Sequence, residues 1–93
     1  MVHFEWDLDK ELTNIQKHGI DFRTARRAFL DPHRLIYADE KHSGDEARFF
    51  CVSKVEGRIL TVRFSYREET VRIFGAGYWR KGKRYYGKEK EGK

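Results

Sequence analysis

Three arginines draw attention first, because a strand period of two would set them on one side of a sheet. Arg48, Arg63 and Arg72 sit in the β-branched and aromatic runs at 47–55, 58–66 and 70–76. A guanidinium is a planar fork that holds two phosphate oxygens at once. Several of them on a rigid sheet make a better phosphate cradle than equal charge on a loop. Phe50 and Phe74 fall on the same side and offer faces on which unpaired bases stack. Directly after the third run, Tyr78, Trp79, Arg80, Lys81, Lys83 and Arg84 interleave aromatic and basic side chains, a mixture suited to sugar-phosphate contact plus stacking. The same residues also fit two plainer readings. One is a solvent face whose arginine stems cover apolar neighbours, and the other is a terminal helix whose Trp79 and Tyr86 cap the core.

Two turns set the register that would align these groups. With Glu56-Gly57 as a two-residue turn, Ser53 pairs with Leu60, Cys51 with Val62 and Phe49 with Phe64, giving an apolar face. With Glu68-Glu69 as the second, Phe64 meets Ile73 and Tyr66 meets Val71 on that same face. Arg48, Phe50, Val52, Thr61, Arg63, Ser65, Arg72 and Phe74 then share the other face. Arg48, Ser65 and Arg72 form one row, and Arg63 lies between Phe50 and Phe74.

The elements upstream must cover the apolar face. His3-Phe4-Glu5-Trp6 alternates like a short edge strand. Asp7 or Asp9 caps a short amphipathic helix through Leu8, Leu12, Ile15 and His18, ended by Gly19. Asp21 caps a second helix whose stripe is Phe22, Ala25, Ala28 and Phe29, stopped by Pro32. Arg34 to Tyr37 reads as the next strand, and 38–45 as a polar loop too acidic to pack. The expected fold class is α+β. Two N-terminal helices lie on one face of a small antiparallel sheet in the order β-α-α-β-β-β-β, with a possible short C-terminal helix.

Ninety-three residues point to one domain, placed at 1–86, with 87–93 as a basic, disordered tail. Residues 78–93 hold seven Lys and Arg against two Glu, so the net charge of +5 resides at that end, the footprint of a polyanion partner. A lone Cys51 points to a reducing compartment, and the start of the chain shows neither a leader nor an apolar run of membrane length. Cytoplasmic location is the expectation, without membrane contact. His3, His18, His33 and His42 lack ligand spacing, and Asp39, Glu40, Asp45 and Glu46 lack the glycine of a calcium loop. No metal or cofactor is expected.

Taken together, Phe4-Glu5-Trp6-Asp7, Lys17-His18-Gly19-Ile20 with Phe22, Phe29 with Asp31-Pro32, Asp45-Glu46-Ala47-Arg48-Phe49 and Val71-Arg72-Ile73 resemble the BrnT family of toxins across nearly the whole chain. The resemblance implies a compact RelE-like ribonuclease fold, RNA as substrate without a metal, and neutralisation by a BrnA-like antitoxin, through which alone DNA is contacted. One departure stands out. Typical members continue the last strand as Ile-Ser-Ala-Arg, whereas this chain has Phe74-Gly75-Ala76-Gly77, so an expected active-site arginine is missing at Gly77.

Metal-free cleavage needs a base for the 2′-hydroxyl, cations for the phosphorane and an acid for the leaving oxygen. Arg48 and Arg72, with Arg80 or Lys81 in place of the lost residue, are the candidates for charge stabilisation. Lys17 and His18 approach from the first helix, where His18 is either a proton-transfer group or simply a helix C-terminal cation. Glu46 or Tyr78 takes the remaining proton. Two alternatives stay open: a catalytically impaired RNA- or ribosome-binding module, and a protein whose basic face serves only its antitoxin.

Overall fold

The computed structural model describes residues 2–91. Its elements are β1 (His3–Trp6), α1 (Leu8–His18), α2 (Phe22–Ala25) running into a 3-10 turn (Arg26–Leu30), β2 (Leu35–Ala38), a second 3-10 turn (Glu40–His42), β3 (Arg48–Val55), β4 (Arg58–Arg67), β5 (Thr70–Gly77) and α3 (Arg80–Glu91). The five strands form one sheet in the order β1-β5-β4-β3-β2.

The three-stranded centre forms as its side chains require. Val55 opposes Arg58, Cys51 opposes Val62 and Phe49 opposes Phe64; on the other side Phe64 opposes Ile73 and Tyr66 opposes Val71. Both turns are of the primed kind that matches strand twist. Glu56 and Gly57 have φ of 52° and 79°, and Glu68 and Glu69 have φ of 51° and 63°. The glutamates thus adopt left-handed backbone, which glycine or asparagine takes at lower cost.

The register departs from expectation at one place. Arg63 opposes Gly75 while Phe64 opposes Ile73, so β5 bulges by one residue at Phe74. Ile73 and Ala76 are both fully buried across this bulge, and Phe74 falls outside the core.

The sheet is also mixed rather than antiparallel, because β1 joins β5 in parallel. One edge of β5 serves two neighbours in succession. β1 pairs with Thr70–Ile73, and α1 then takes over alongside the remainder. There Asn14 acts as a one-residue strand: its Oδ1 accepts from the Ala76 N–H at 3.1 Å, and its Nδ2 donates to the carbonyls of Ala76 at 3.0 Å and Ile20 at 2.9 Å. The polar side of α1 therefore seals the sheet edge, and its apolar stripe faces outward. Leu8 is 69% and Leu12 59% exposed, against the expectation that this stripe would cover the sheet.

Covering that face is left to the second helical segment. Phe22, Ala25 and Ala28 are buried against Cys51, Leu60, Val62, Phe64 and Ile73. Phe29 stacks edge-on against Phe64 at 5.0 Å, with Phe4 5.4 Å away on its other side. Fully burying a ring such as Phe22 contributes about 1.5–3 kcal/mol. Glu11 joins this layer together, since one carboxylate oxygen accepts from Trp6 Nε1 and the other from the Phe22 N–H.

α3 lies on the opposite face. Gly82 is buried over Val52 and Thr61, and Tyr85 meets Tyr37, which in turn lies against Phe50. Half of the face expected to be open is thereby covered. Tyr86 anchors the helix by donating to Asp31 Oδ2 at 2.7 Å, an oxygen that also accepts from the Lys54 N–H at 2.8 Å. α3 carries the chain through residues 87–91, the first part of the expected tail; residues 92 and 93 lie outside the described residues.

Candidate nucleic-acid interface

What α3 leaves uncovered is a groove of about 320 Å³ between α1 and the sheet. From α1 come Asp9, Lys10, Thr13, Asn14, Lys17 and His18, and from the sheet and the segment after it come Arg63, Phe74, Gly75 and Trp79. The Phe74 ring, on the outward side of β5 at the bulge, organises the cations around it. The Arg48 guanidinium lies 4.2 Å from its centroid and the Lys10 ammonium 5.8 Å. Cation–π contact of this kind holds a guanidinium in place without neutralising it.

Arg48 is also fixed from behind by the loop that precedes it. Its N–H donates to Ser43 Oγ at 2.9 Å and its carbonyl accepts from the Asp39 N–H at 2.8 Å. Asp39 is buried and lies 3.0 Å from His42 Nδ1, whereas the rest of 38–45 is exposed, as its polar composition implies. The one inward carboxylate thus has a partner three residues away.

Gly77 explains the departure in the last strand. A Cβ at this position would stand 2.7 Å from Trp79 Cε2 and 2.8 Å from Cζ2, too close for any side chain. The indole itself lies where a side chain at 77 would begin. Trp79 also meets the His18 ring edge-on at 5.3 Å, so an aromatic pair closes one end of the groove.

The row of Arg48, Ser65 and Arg72 is present in the pairing. Its far end nonetheless belongs to a second, polar groove lined by Glu5, Glu46, Ser65, Arg67, Glu68, Thr70 and Arg72. Arg72 donates there to Glu5 Oε2 at 2.8 Å, an exposed ion pair. Glu46 thus sits with Arg72 and apart from the groove that His18 lines.

Of the aromatic candidates, Phe74 and Trp79 line the first groove, whereas Phe50 lies in the Phe50–Tyr37–Tyr85 stack that seats α3. Tyr78 packs against the core under the Arg58 guanidinium, 3.6 Å from its ring. Arg80, Lys83 and Arg84 are exposed on α3, and Lys81 lies 5.8 Å from the Tyr85 ring. Lys10, Thr13 and Asn14 were missed from sequence. Their signal was the polar side of α1, misread as its solvent side.

Cys51 is no reagent here, since burial pushes its thiol up to about 11. Among the described residues no three His, Cys, Asp or Glu side chains gather as a ligand set, and no helix is long and apolar enough to cross a membrane.

No curated protein matches this chain. A family model, described as the ribonuclease toxin BrnT of a type II toxin–antitoxin system, matches residues 6–82, a span that takes in the first groove, the second groove apart from Glu5, and the bulge. The chain belongs to that family of ribonuclease toxins.

Proposed function

We propose that this chain is a metal-independent endoribonuclease of RelE-like fold that acts in the cytoplasm and is neutralised by a BrnA-like antitoxin, with DNA reached only through that antitoxin. The observation that carries the proposal is the convergence of Arg63, Lys10, Lys17 and His18 with the Phe74 and Trp79 rings in one groove, with Arg48 held beside it over the Phe74 ring. Its volume is on the scale of the smallest ligand sites, roughly 300 Å³. That suits one unpaired nucleotide with its flanking phosphates.

In this reading a base stacks on Trp79 or Phe74, and Arg48 and Arg63 bracket the scissile phosphate. Cleavage proceeds by attack of the 2′-oxygen on phosphorus. The P–O5′ bond breaks, a 2′,3′-cyclic phosphate forms, and the proton from the 2′-hydroxyl ends on the leaving 5′-oxygen. His18 is the imidazole placed to move a proton, and Lys17, Arg48 and Arg63 stabilise the added negative charge. Arg72, released from Glu5 when a phosphate competes for it, and Glu46 serve the adjoining nucleotide. Arg80, Lys81, Lys83 and Arg84 add charge along the exposed side of α3, and Tyr78 and Phe50 act as supports beneath the site.

The test is incubation of total RNA with wild type, Arg48→Ala and Arg63→Ala, with EDTA present throughout. Cleavage by wild type and a fall of about a hundredfold or more in each variant are expected, the usual effect of losing one oxyanion-stabilising donor. Unchanged cleavage in both variants would remove this groove from the mechanism.

A second reading is supported by the indole at Gly77: a member lacking the arginine binds RNA without cutting it. RNA then stays intact, and if about four phosphates are neutralised, log affinity falls with log salt at a slope of roughly −3.

A further inference from the structure

The face of the sheet opposite the basic groove carries an apolar channel that nothing among the described residues fills. Its volume is about 460 Å³. Its floor takes one residue from every strand: Phe4, Val71, Phe64, Phe49 and Ile36. The channel therefore runs across the strands, and five strands at about 4.8 Å spacing span roughly 19 Å. One wall is the 3-10 turn after α2, where Leu30 is 78% exposed; Ile36 and Tyr66 are 50% and 49% exposed. α2 and its 3-10 turn cover one end of this face and stop, leaving a strip one helix wide.

We infer that this strip is the docking site for a single amphipathic helix of the antitoxin, about 13 residues long, with an apolar stripe and acidic flanks. Length follows from the span of the channel at 1.5 Å per residue. The sign of the flanks follows from the wall. Residues 22–30 contain Arg23, Arg26 and Arg27 and no Asp or Glu, and Arg34 lines the channel itself. Arg27 already has Glu56 at 2.6 Å and Arg34 spends one N–H on the Asp31 carbonyl at 3.1 Å, so the remaining N–H groups of Arg34, with the exposed Arg23 and Arg26 on the same segment, set the positive sign that a partner's carboxylates would meet.

That a protein partner exists follows from membership of a type II toxin–antitoxin family, so the inference stands apart from the RNA reading. A second copy of this chain is the weaker occupant. Its exposed apolar helix, α1, carries Asp9 and Glu11 against Lys10 and Lys17 and so brings no net acidic charge to this wall, and a helix-into-channel contact between copies is heterologous and does not close.

The experiment uses the complex of the full chain with its cognate antitoxin, co-expressed from their native locus, and the isolated antitoxin titrated into ¹⁵N-labelled chain. Leu30→Asp and Ile36→Asp are expected to weaken the complex by at least about thirtyfold each, the effect of removing an interface anchor. Amide shifts are expected to map to Leu30, Ile36, Tyr66 and Val71, with RNA binding by the variants unchanged.

Circular dichroism checks folding, and Leu30→Ser, at the most exposed position, serves if either aspartate variant unfolds. Shifts confined to Lys17, Arg63 and Phe74, or unaltered antitoxin affinity in the folded variants, would overturn the inference. So would a concentration-dependent homodimer abolished by these variants while antitoxin binding survives. Loss of RNA cleavage in Arg48→Ala with intact antitoxin binding would bear on the groove alone, so the two proposals fail separately.

Discussion

Replacing Gly82 with alanine adds one methyl group where α3 meets the sheet. Its position sets the cost: the new Cβ would fall on Thr61 Oγ1, while the other near atoms, Thr61 Cβ at 3.4 Å and Val52 Cγ1 at 3.6 Å, are ordinary contacts. The whole clash is with one hydroxyl oxygen on a central strand. In a helix alone alanine is favoured over glycine by about 0.8–1 kcal/mol. Overpacking a fitted site costs about 1–3 kcal/mol. A net loss of about 1 kcal/mol is expected, taken as loosening of α3 at Gly82, with the Tyr86 and Tyr85 contacts holding it further along.

Thr61→Ala provides the control. Thr61 Oγ1 is buried and makes no hydrogen bond within the described residues, so deleting it removes both an unsatisfied oxygen and the obstacle. Urea unfolding of wild type, both single variants and the double variant, followed by circular dichroism and tryptophan fluorescence, measures the coupling. The double variant is expected to be at least as stable as Thr61→Ala. An equal loss from Gly82→Ala in both backgrounds, or none in either, would refute the close-approach argument and with it the reason α3 lies on this face.

Three further outcomes follow from the same structure. Burial works to raise the Asp31 carboxyl, but the Lys54 N–H, the Tyr86 hydroxyl and the His33 N–H outweigh it and hold the group below its ordinary value of 3.8. Because the folded value is the lower one, this contribution is present above the ordinary value and lost as pH falls through the depressed one. The destabilisation of Asp31→Asn relative to wild type should therefore shrink on acidification, and Tyr86→Phe should cost about 1.5 kcal/mol at pH 7, both read by urea unfolding. In the β4–β5 turn, Glu68→Asn should stabilise the domain by about 0.5–1 kcal/mol, since asparagine tolerates the left-handed backbone at φ 51°; an unchanged midpoint would show that no strain resides there.

The centre of the fold was legible because turn length and side-chain alternation reinforce each other. Once Glu56-Gly57 and Glu68-Glu69 are turns, a slip of one residue would expel Phe49, Leu60, Val62 and Phe64 together. Three features were hidden for distinct reasons. The bulge at Phe74 depends on Ile73 and Ala76 both reaching the core, a three-residue step that no alternation pattern contains. The orientation of α1 is decided by one amide, Asn14, which satisfies backbone groups 62 residues away in sequence; hydrophobic periodicity assigns such a side to solvent. The parting of Arg72 and Glu46 from the Lys17–His18 groove arises because Arg72 meets Glu5 on a strand whose parallel pairing was not expected.

The exchange at Gly77 ties these features into one functional argument. An arginine there would bring a cation to the last strand, but its Cβ and the Trp79 indole compete for the same space, so a chain has one or the other. This chain keeps the ring and sets it against His18. A stacking surface strengthens the bound state and the transition state alike, whereas a guanidinium aimed at the phosphorane favours the transition state. In the proposed reaction the charge-stabilising task then falls to Arg48 and Arg63, with Lys17 beside them. Arg48 is the better prepared for that proposed role, because Ser43 and Asp39 hold its backbone and Phe74 holds its guanidinium. Phe74 keeps the outward side that alternation gives it and supports that arginine there, while the bulge brings Ala76, three residues after Ile73, back into the core.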